Sequence, residues 1–228
     1  MSIYDPIRCS DLSVFWDCAK GRTGWVLGGG RSLLETKAEH FSRGDFVIAV
    51  NHQILCRRLL RFPAPDIWLF GDMWVPMNIP PGGYPEIPKW VSNGAAAAYL
   101  YGAGYHRADT KVGDRGRGPT FVLFGENDYP MIKRCEKFTL KTFNRTIHAA
   151  LHAAWMVGCN PINLVGVGGP RGYWWEGMGR LPDIPKEIAD GYDASHEKAR
   201  DDTATMLECI RADGVEVRVL SEEAVHAG

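Results

Sequence analysis

Five times along the chain, a short apolar run stops at a glycine or a lone polar residue. Gly24-Trp25-Val26-Leu27 ends in Gly28-Gly29-Gly30, Phe46-Val47-Ile48-Ala49-Val50 in Asn51, and Ile67-Trp68-Leu69-Phe70 in Gly71-Asp72. Phe121-Val122-Leu123-Phe124 runs into Gly125, and Ile162-Asn163-Leu164-Val165 into Gly166. Runs this short, partly β-branched or aromatic, fit strands covered on both faces better than helices. Helical spacers separate the first three, one of them with Ile54, Leu55 and Leu59 on a single face. Strands alternating with helical spacers predict a parallel sheet with crossover helices. Val215, Val217 and Val219, alternating with Glu216 and Arg218, predict a last, half-exposed strand.

The helix signals agree with that layout. Ser32 and Glu35 have the spacing of a capping box after the first strand. A small-residue helix is expected from Ile147 to Met156, with Gly158 at its C-cap, and another from about Ser195 to Ala212, closed by Gly214. The proline- and glycine-rich stretch from Pro76 to Pro88, and the alanine run followed by glycines and charges up to Pro119, show no periodicity. A long irregular, lid-like insertion over about 76–119 is expected there. The predicted fold class is therefore α/β: a Rossmann-like, mostly parallel sheet flanked by helices, with that insertion, in one domain over 1–228.

Composition narrows the classes. A chain of 228 residues suits one α/β domain, and 45% hydrophobic with 23% charged residues is ordinary globular usage. The formal net charge of −1 argues against general capture of nucleic acid, which needs a basic excess. Cys9, Cys18, Cys56, Cys135, Cys159 and Cys209 are scattered without a C-x-x-C pair, so reduced thiols are expected rather than a disulfide framework or a zinc site. No apolar run approaches the ~20 residues of a membrane span. Asp5, Arg8, Asp11 and Asp17 interrupt the start of the chain, which does not read as a signal peptide, so the cytoplasm is the simplest location.

Ligands of open parallel sheets bind at the carboxyl ends of the strands. That rule alone nominates Gly28 to Ser32, Asn51, Gly71-Asp72 and Gly166 to Pro170. Three glycines between strand and helix let backbone N–H groups face an anion, or simply make a tight turn. The loop is neither G-x-G-x-x-G nor a Walker A loop. Asn51 is suited to reading a base or ribose, and equally to capping the next helix. Asp72 reads as a ribose ligand, metal ligand, catalytic acid or turn residue. Thr142, Asn144, Arg145 and Thr146 open a helix with donors and a fixed positive charge suited to phosphate, although N-capping explains the short polar side chains as well. His148 and His152 lie four apart, a spacing for metal, but without H-E-x-x-H or a third ligand they read as packing or surface residues. Trp90, Trp174 and Trp175 read as stacking platforms for sugar or base, or as core or subunit-contact residues.

Gly28-Gly29-Gly30-Arg31-Ser32-Leu33 resembles the G-x-G-P-S-L loop of the small bacterial sialyltransferases and the related motility-accessory-factor proteins. The likeness extends to Asn51 and to Asn144-Arg145-Thr146, which opens a helix leading through Gly158 into the strand that ends at Gly166. It spans roughly residues 24 to 221. It departs from the pattern at Arg31, where those relatives have proline, and at Gly168, where they commonly have aspartate.

The resemblance implies a Rossmann-like domain of the GT-A-like variant and a glycosyltransferase that moves a sugar from a nucleotide donor to an acceptor hydroxyl. Gly28, Gly29, Gly30, Ser32, Asn51, Asn144, Arg145, Thr146, Gly166 and Gly168 would hold the nucleotide. His196 falls at the general-base position of those enzymes; Pro170 stands near the position where they set a tyrosine on the leaving phosphate, a role Tyr173 would take over, and Asp72 completes the catalytic candidates. No resident metal is implied. The expected partners are a nucleotide-sugar donor and a hydroxyl acceptor (glycan, small molecule or modified nucleic acid), with a homo-oligomer left open. Two other readings stand beside this one. They are ATP-dependent diphosphate transfer to a pterin-like hydroxymethyl group, with magnesium on Asp72 and Asp193, and a nucleotide-binding module without catalysis.

Overall fold

A strand buried on both faces sends alternate side chains to opposite layers, and the computed structural model follows that rule strand by strand. It describes residues 9–72, 74–92, 94–107, 120–127, 132–143, 145–167, 173–175 and 201–220. The strands are β1 (Gly24–Leu27), β2 (Phe46–Val50), β3 (Ile67–Phe70), β4 (Lys89–Val91), β5 (His106–Arg107), β6 (Thr120–Leu123), β7 (Gly125–Asn127), β8 (Thr139–Lys141), β9 (Ile162–Val165) and β10 (Val217–Leu220). Eight of them form one sheet in the order β10-β9-β1-β2-β3-β4-β6-β5, and every neighbouring pair is parallel. β7 and β8 form a separate parallel pair.

Val26, Ile48, Val50, Ile67, Leu69, Trp90, Val122 and Leu164 point into one layer. There they meet α4 (Thr146–Met156) and the Met206, Leu207 and Ile210 side chains of α5 (residues 201–212). Trp25, Leu27, Val47 and Val165 point the other way, against Leu33, Phe62, Trp174 and Trp175. Farther along the same face, Trp68, Phe70, Val91, Phe121 and Leu123 pack on α2 (Trp74–Asn78) and α3 (Gly94–Gly102). At roughly 1.5–3 kcal/mol per large apolar side chain buried, these layers are the main favourable term holding the sheet. The architecture is α/β with a mostly parallel sheet between helices, compatible with a Rossmann-like fold.

The expectation of an irregular insertion from residue 76 fails over 76–107. Pro76 lies in the first turn of α2, where its missing N–H has no intrahelical partner to lose. Val75, Ile79, Ile87, Trp90 and Val91 are buried, and Ala96, Ala97 and Leu100 pack α3 against the sheet. β4 escaped notice because it has three residues and starts with a lysine. Lys89 is nevertheless fully buried: its ammonium donates to the Tyr84 carbonyl oxygen and sits 5.0 Å from the centre of the Tyr105 ring. Desolvation pushes that amine down to about 8. Residues 108–119, the rest of the expected insertion, lie outside the described residues.

Smaller corrections concern the helices. After β1 the chain makes a 3₁₀ turn, Arg31–Glu35, rather than an α-helix, and Gly30 rather than Ser32 holds its N-cap. After β2 a 3₁₀ turn, Asn51–Leu55, runs directly into α1 (Cys56–Leu59). α4 ends as expected, with Gly158 in the left-handed region at φ +88°. Among the described residues, no helix is long and apolar enough to cross a membrane.

Candidate functional site

The chain leaves β1 towards β2 and later returns, through α4, to β9 on the other side of β1. The strand order therefore reverses between β1 and β9, where their carboxyl ends open a crevice in folds of this kind. Here the backbones close it. The Gly28 amide donates to the Val165 carbonyl oxygen and the Gly30 amide to that of Gly166, each at 2.7 Å. Two of the three loop amides expected to face an anion are thus committed: Gly28 extends the ladder to the last residue of β9, and Gly30 takes the carbonyl that Gly166, at φ +66°, turns towards it.

Gly29 supports a different contact. Its carbonyl oxygen accepts from the Trp174 amide at 3.0 Å, and Gly30 forms an antiparallel bridge with Tyr173. A Cβ on Gly29 would lie 2.8 Å from Gln53 Nε2 and 2.9 Å from Tyr173 Cδ1, so only glycine admits this strap. Tyr173 stacks on Trp175 at 4.5 Å, Trp175 meets His52 at 4.9 Å, and His52 meets Trp74 at 4.8 Å. Trp90, Trp174 and Trp175 are all buried, as core residues would be, and Trp74 is the exposed end of this aromatic row.

Around the strap lie buried polar atoms that have no hydrogen-bond partner among the described residues: Ser32 Oγ, Asn51 Oδ1, His52 Nε2, Gln53 Oε1 and Trp174 Nε1. Leaving such a group unpaired costs about 1–3 kcal/mol, so a cluster of them is exceptional. Asn51 sits at φ +51°, a conformation asparagine tolerates, and its carbonyl oxygen accepts from Trp68 Nε1 at 2.7 Å. Burial pushes the His52 imidazole down to about 4, so it is uncharged at neutral pH.

A second feature lies on the opposite face, where α4 begins. A cavity of about 190 Å³ opens at the carboxyl ends of β3, β4 and β6, with Leu69, Phe124 and Ala149 as its apolar lining. Asp72, Ser92, Glu126, Thr142, Arg145 and Thr146 supply its polar wall. Gly71 leaves the room: a Cβ there would lie 3.1 Å from Ser92 Oγ and 3.7 Å from Thr146 Oγ1. Arg145 is the N-cap residue of α4 and makes no side-chain capping bond, so the first N–H groups of an eleven-residue helix are left uncapped by it.

Sequence reasoning found Asp72, Thr142, Arg145 and Thr146, and the structure brings these four together. It places the glycine loop, Ser32, Asn51, Gly166 and Tyr173 in the other group, along β1, β2 and β9. Asn144, Gly168 and His196 lie outside the described residues. Ser92, Glu126, His52 and Gln53 were missed. Glu126 does follow a strand-ending glycine, which was a usable signal, whereas Ser92 follows a strand that went unseen.

The histidine pair is structural. His152 Nδ1 accepts from the Lys141 amide at 2.7 Å, and its Nε2 donates to the Lys133 and Arg134 carbonyl oxygens. His148 contacts the Thr142 carbonyl oxygen and Thr203 Oγ1 at 3.0 and 2.8 Å. All four nitrogens are engaged within the protein, which answers the metal-like spacing. Cys56 and Cys159 are buried, Cys18 and Cys135 are exposed, and none of the six cysteines forms a disulfide. Compared with known proteins, the chain matches no family model, no curated protein and no solved structure.

Proposed function

We propose that the chain is a transferase using a nucleotide donor, with a nucleotide sugar as the donor and a hydroxyl as the acceptor. The fold would then be a GT-A-like variant of the Rossmann arrangement. The observation that carries this reading is the set of buried, unpartnered polar atoms on Ser32, Asn51, His52 and Gln53 beside the glycine loop. A nucleoside supplies what they lack, since base edges and ribose hydroxyls both donate and accept. A neutral imidazole in that set suits an uncharged base, and the strap of Tyr173 and Trp175 borders it with aromatic faces.

The donor's phosphates run along the carboxyl edge from β2 towards β3. Arg145, Thr146 and the uncapped α4 N-terminus receive them, taking over from the glycine amides that β9 occupies. His196 takes the proton from the acceptor hydroxyl, and Tyr173 stabilises charge on the departing phosphate. A positioned base is worth ~10²–10⁴-fold in rate, and the electrostatic contribution is often larger.

Titration calorimetry with CMP, UDP and ATP, followed by donor hydrolysis with wild type and His196→Ala, tests this. Binding is expected for wild type, with turnover lost in His196→Ala and affinity within about threefold. Absence of nucleotide binding overturns the reading. Magnesium-dependent AMP release would replace it with diphosphate transfer, and binding without turnover with a non-catalytic module.

A further inference from the structure

The cavity at the start of α4 carries charges of both signs that do not meet. Asp72 and Glu126 share its wall with Arg145, yet none of the three side chains has an ion pair among the described residues. Thr142 adds a second observation: it is 3% exposed, lines the cavity, and leaves Oγ1 without a partner among the described residues. Opposite charges around one small cavity gain by closing on each other unless their backbones hold them apart. Here Asp72 hangs from the end of β3, Glu126 from β7 beyond the end of β6, and Arg145 from the N-cap of α4. Three separate elements fix the gap, and Gly71 keeps it clear for the Ser92 and Thr146 hydroxyls.

We infer that the cavity joins an anionic donor to a cationic acceptor: Asp72 and Glu126 hold the ammonium of an acceptor alcohol that carries a primary amine. This rests on the proposed donor site, since Arg145 is there assigned to the donor phosphate. With the anion on Arg145 and the helix N-terminus, two carboxylates remain to be matched, and an ammonium has three donors for them. The neutral wall residues Ser92, Thr142 and Thr146 complete a site for a hydroxyl beside that amine. A volume of about 190 Å³ suits a compact amino alcohol better than an extended chain. The Arg145 guanidinium disfavours a second full cation near it, which favours a ligand whose charge sits at one end.

Ligand-observed NMR with ethanolamine and with ethylene glycol, its uncharged counterpart, tests the inference in the presence and absence of UDP. Ethanolamine is expected to bind at least about tenfold more tightly, as charge-assisted hydrogen bonds require. Asp72→Asn and Glu126→Gln should each erase that preference, and in Glu126→Gln nucleotide affinity should hold or rise. Both side chains are exposed, so neither variant is expected to unfold, and thermal melting checks this. Equal binding of the two probes, or no ethanolamine binding, overturns the inference. So does ethanolamine binding that ignores both substitutions. If magnesium with inorganic diphosphate binds instead and needs both carboxylates, their ligand is a metal and the inference is again overturned. Calorimetry with nucleotide alone separates the two claims: its failure removes the donor reading and leaves the ethanolamine preference to be judged on its own.

Discussion

Gly28 and Gly166 meet backbone to backbone where β1 and β9 end. A Cβ on Gly28 would lie 2.5 Å from the Gly166 carbonyl oxygen, and one on Gly166 would lie 2.4 Å from that of Gly28. Neither residue has room for a side chain. Gly166 is also at φ +66°, where alanine is strained. Gly28→Ala and Gly166→Ala should each destabilise the fold by about 2–4 kcal/mol, with Gly166→Ala the worse. Urea unfolding measures this, and a loss below about 1 kcal/mol for both would mean the seam gives way easily.

Asn51 allows backbone and ligand roles to be separated. Glycine keeps its φ of +51° without strain and removes the amide; alanine removes the amide and adds strain. Asn51→Gly should stay within about 1 kcal/mol of wild type while binding nucleotide roughly tenfold more weakly. Asn51→Ala should lose stability as well. Unchanged nucleotide affinity in the glycine variant would remove Asn51 from the site.

Acid should weaken the fold through its buried imidazoles. His52 and His152 are both held down at about 4 by desolvation, against 6.5 for a free imidazole. Between those values the unfolded chain binds protons that the folded chain refuses. Their stabilising neutrality is complete above pH 6.5 and is lost as pH falls, by up to about 1.4 kcal/mol per pH unit for each group. His148 is shifted in the same direction by the same cause. Urea midpoints at about pH 7 and about pH 5 should differ, and by less in His52→Gln. An identical pH dependence in that variant would show that His52 is not part of the effect.

Gly71 is the simplest way to close the cavity without touching a charge. In Gly71→Val the Cβ would crowd Ser92 Oγ at 3.1 Å and touch Thr146 Oγ1 at 3.7 Å, and its methyl groups would take up further space there. Phosphate-bearing ligands and ethanolamine should both bind more weakly, by roughly tenfold or more. Nucleoside without phosphate should bind as before, because Ser32, Asn51 and Gln53 lie on the other face. Equal losses for nucleoside and nucleotide would count against two separate subsites.

The strands legible in the sequence were those built on a largely apolar run or on regular alternation. β1, β2, β3 and β9 match their apolar runs, and β6 is displaced by one residue, Thr120–Leu123 against the run starting at Phe121. β4 was hidden because Lys89 breaks its run, and burial of a lysine is unreadable without Tyr84 and Tyr105 around it. α2 and α3 were hidden by Pro76 and by small residues, whose packing value depends on how closely the sheet approaches. Asp72, Arg145 and Thr146 were legible as strand-end and helix-start residues. That the Gly28 and Gly30 amides face β9 was not, since the competing acceptor is a carbonyl more than a hundred residues away in sequence.

Every residue of α4 from His148 to Met156 is buried, and the helix packs under β1, β2, β3 and β9 at once. Amide protons along that stretch can then exchange with deuterium only when the whole domain opens, rather than through local fraying. Arg145 stands at the end of this segment. The cavity it faces should therefore keep its shape for as long as the molecule is folded, and ligand entry should be governed by the loops around it rather than by the helix beneath.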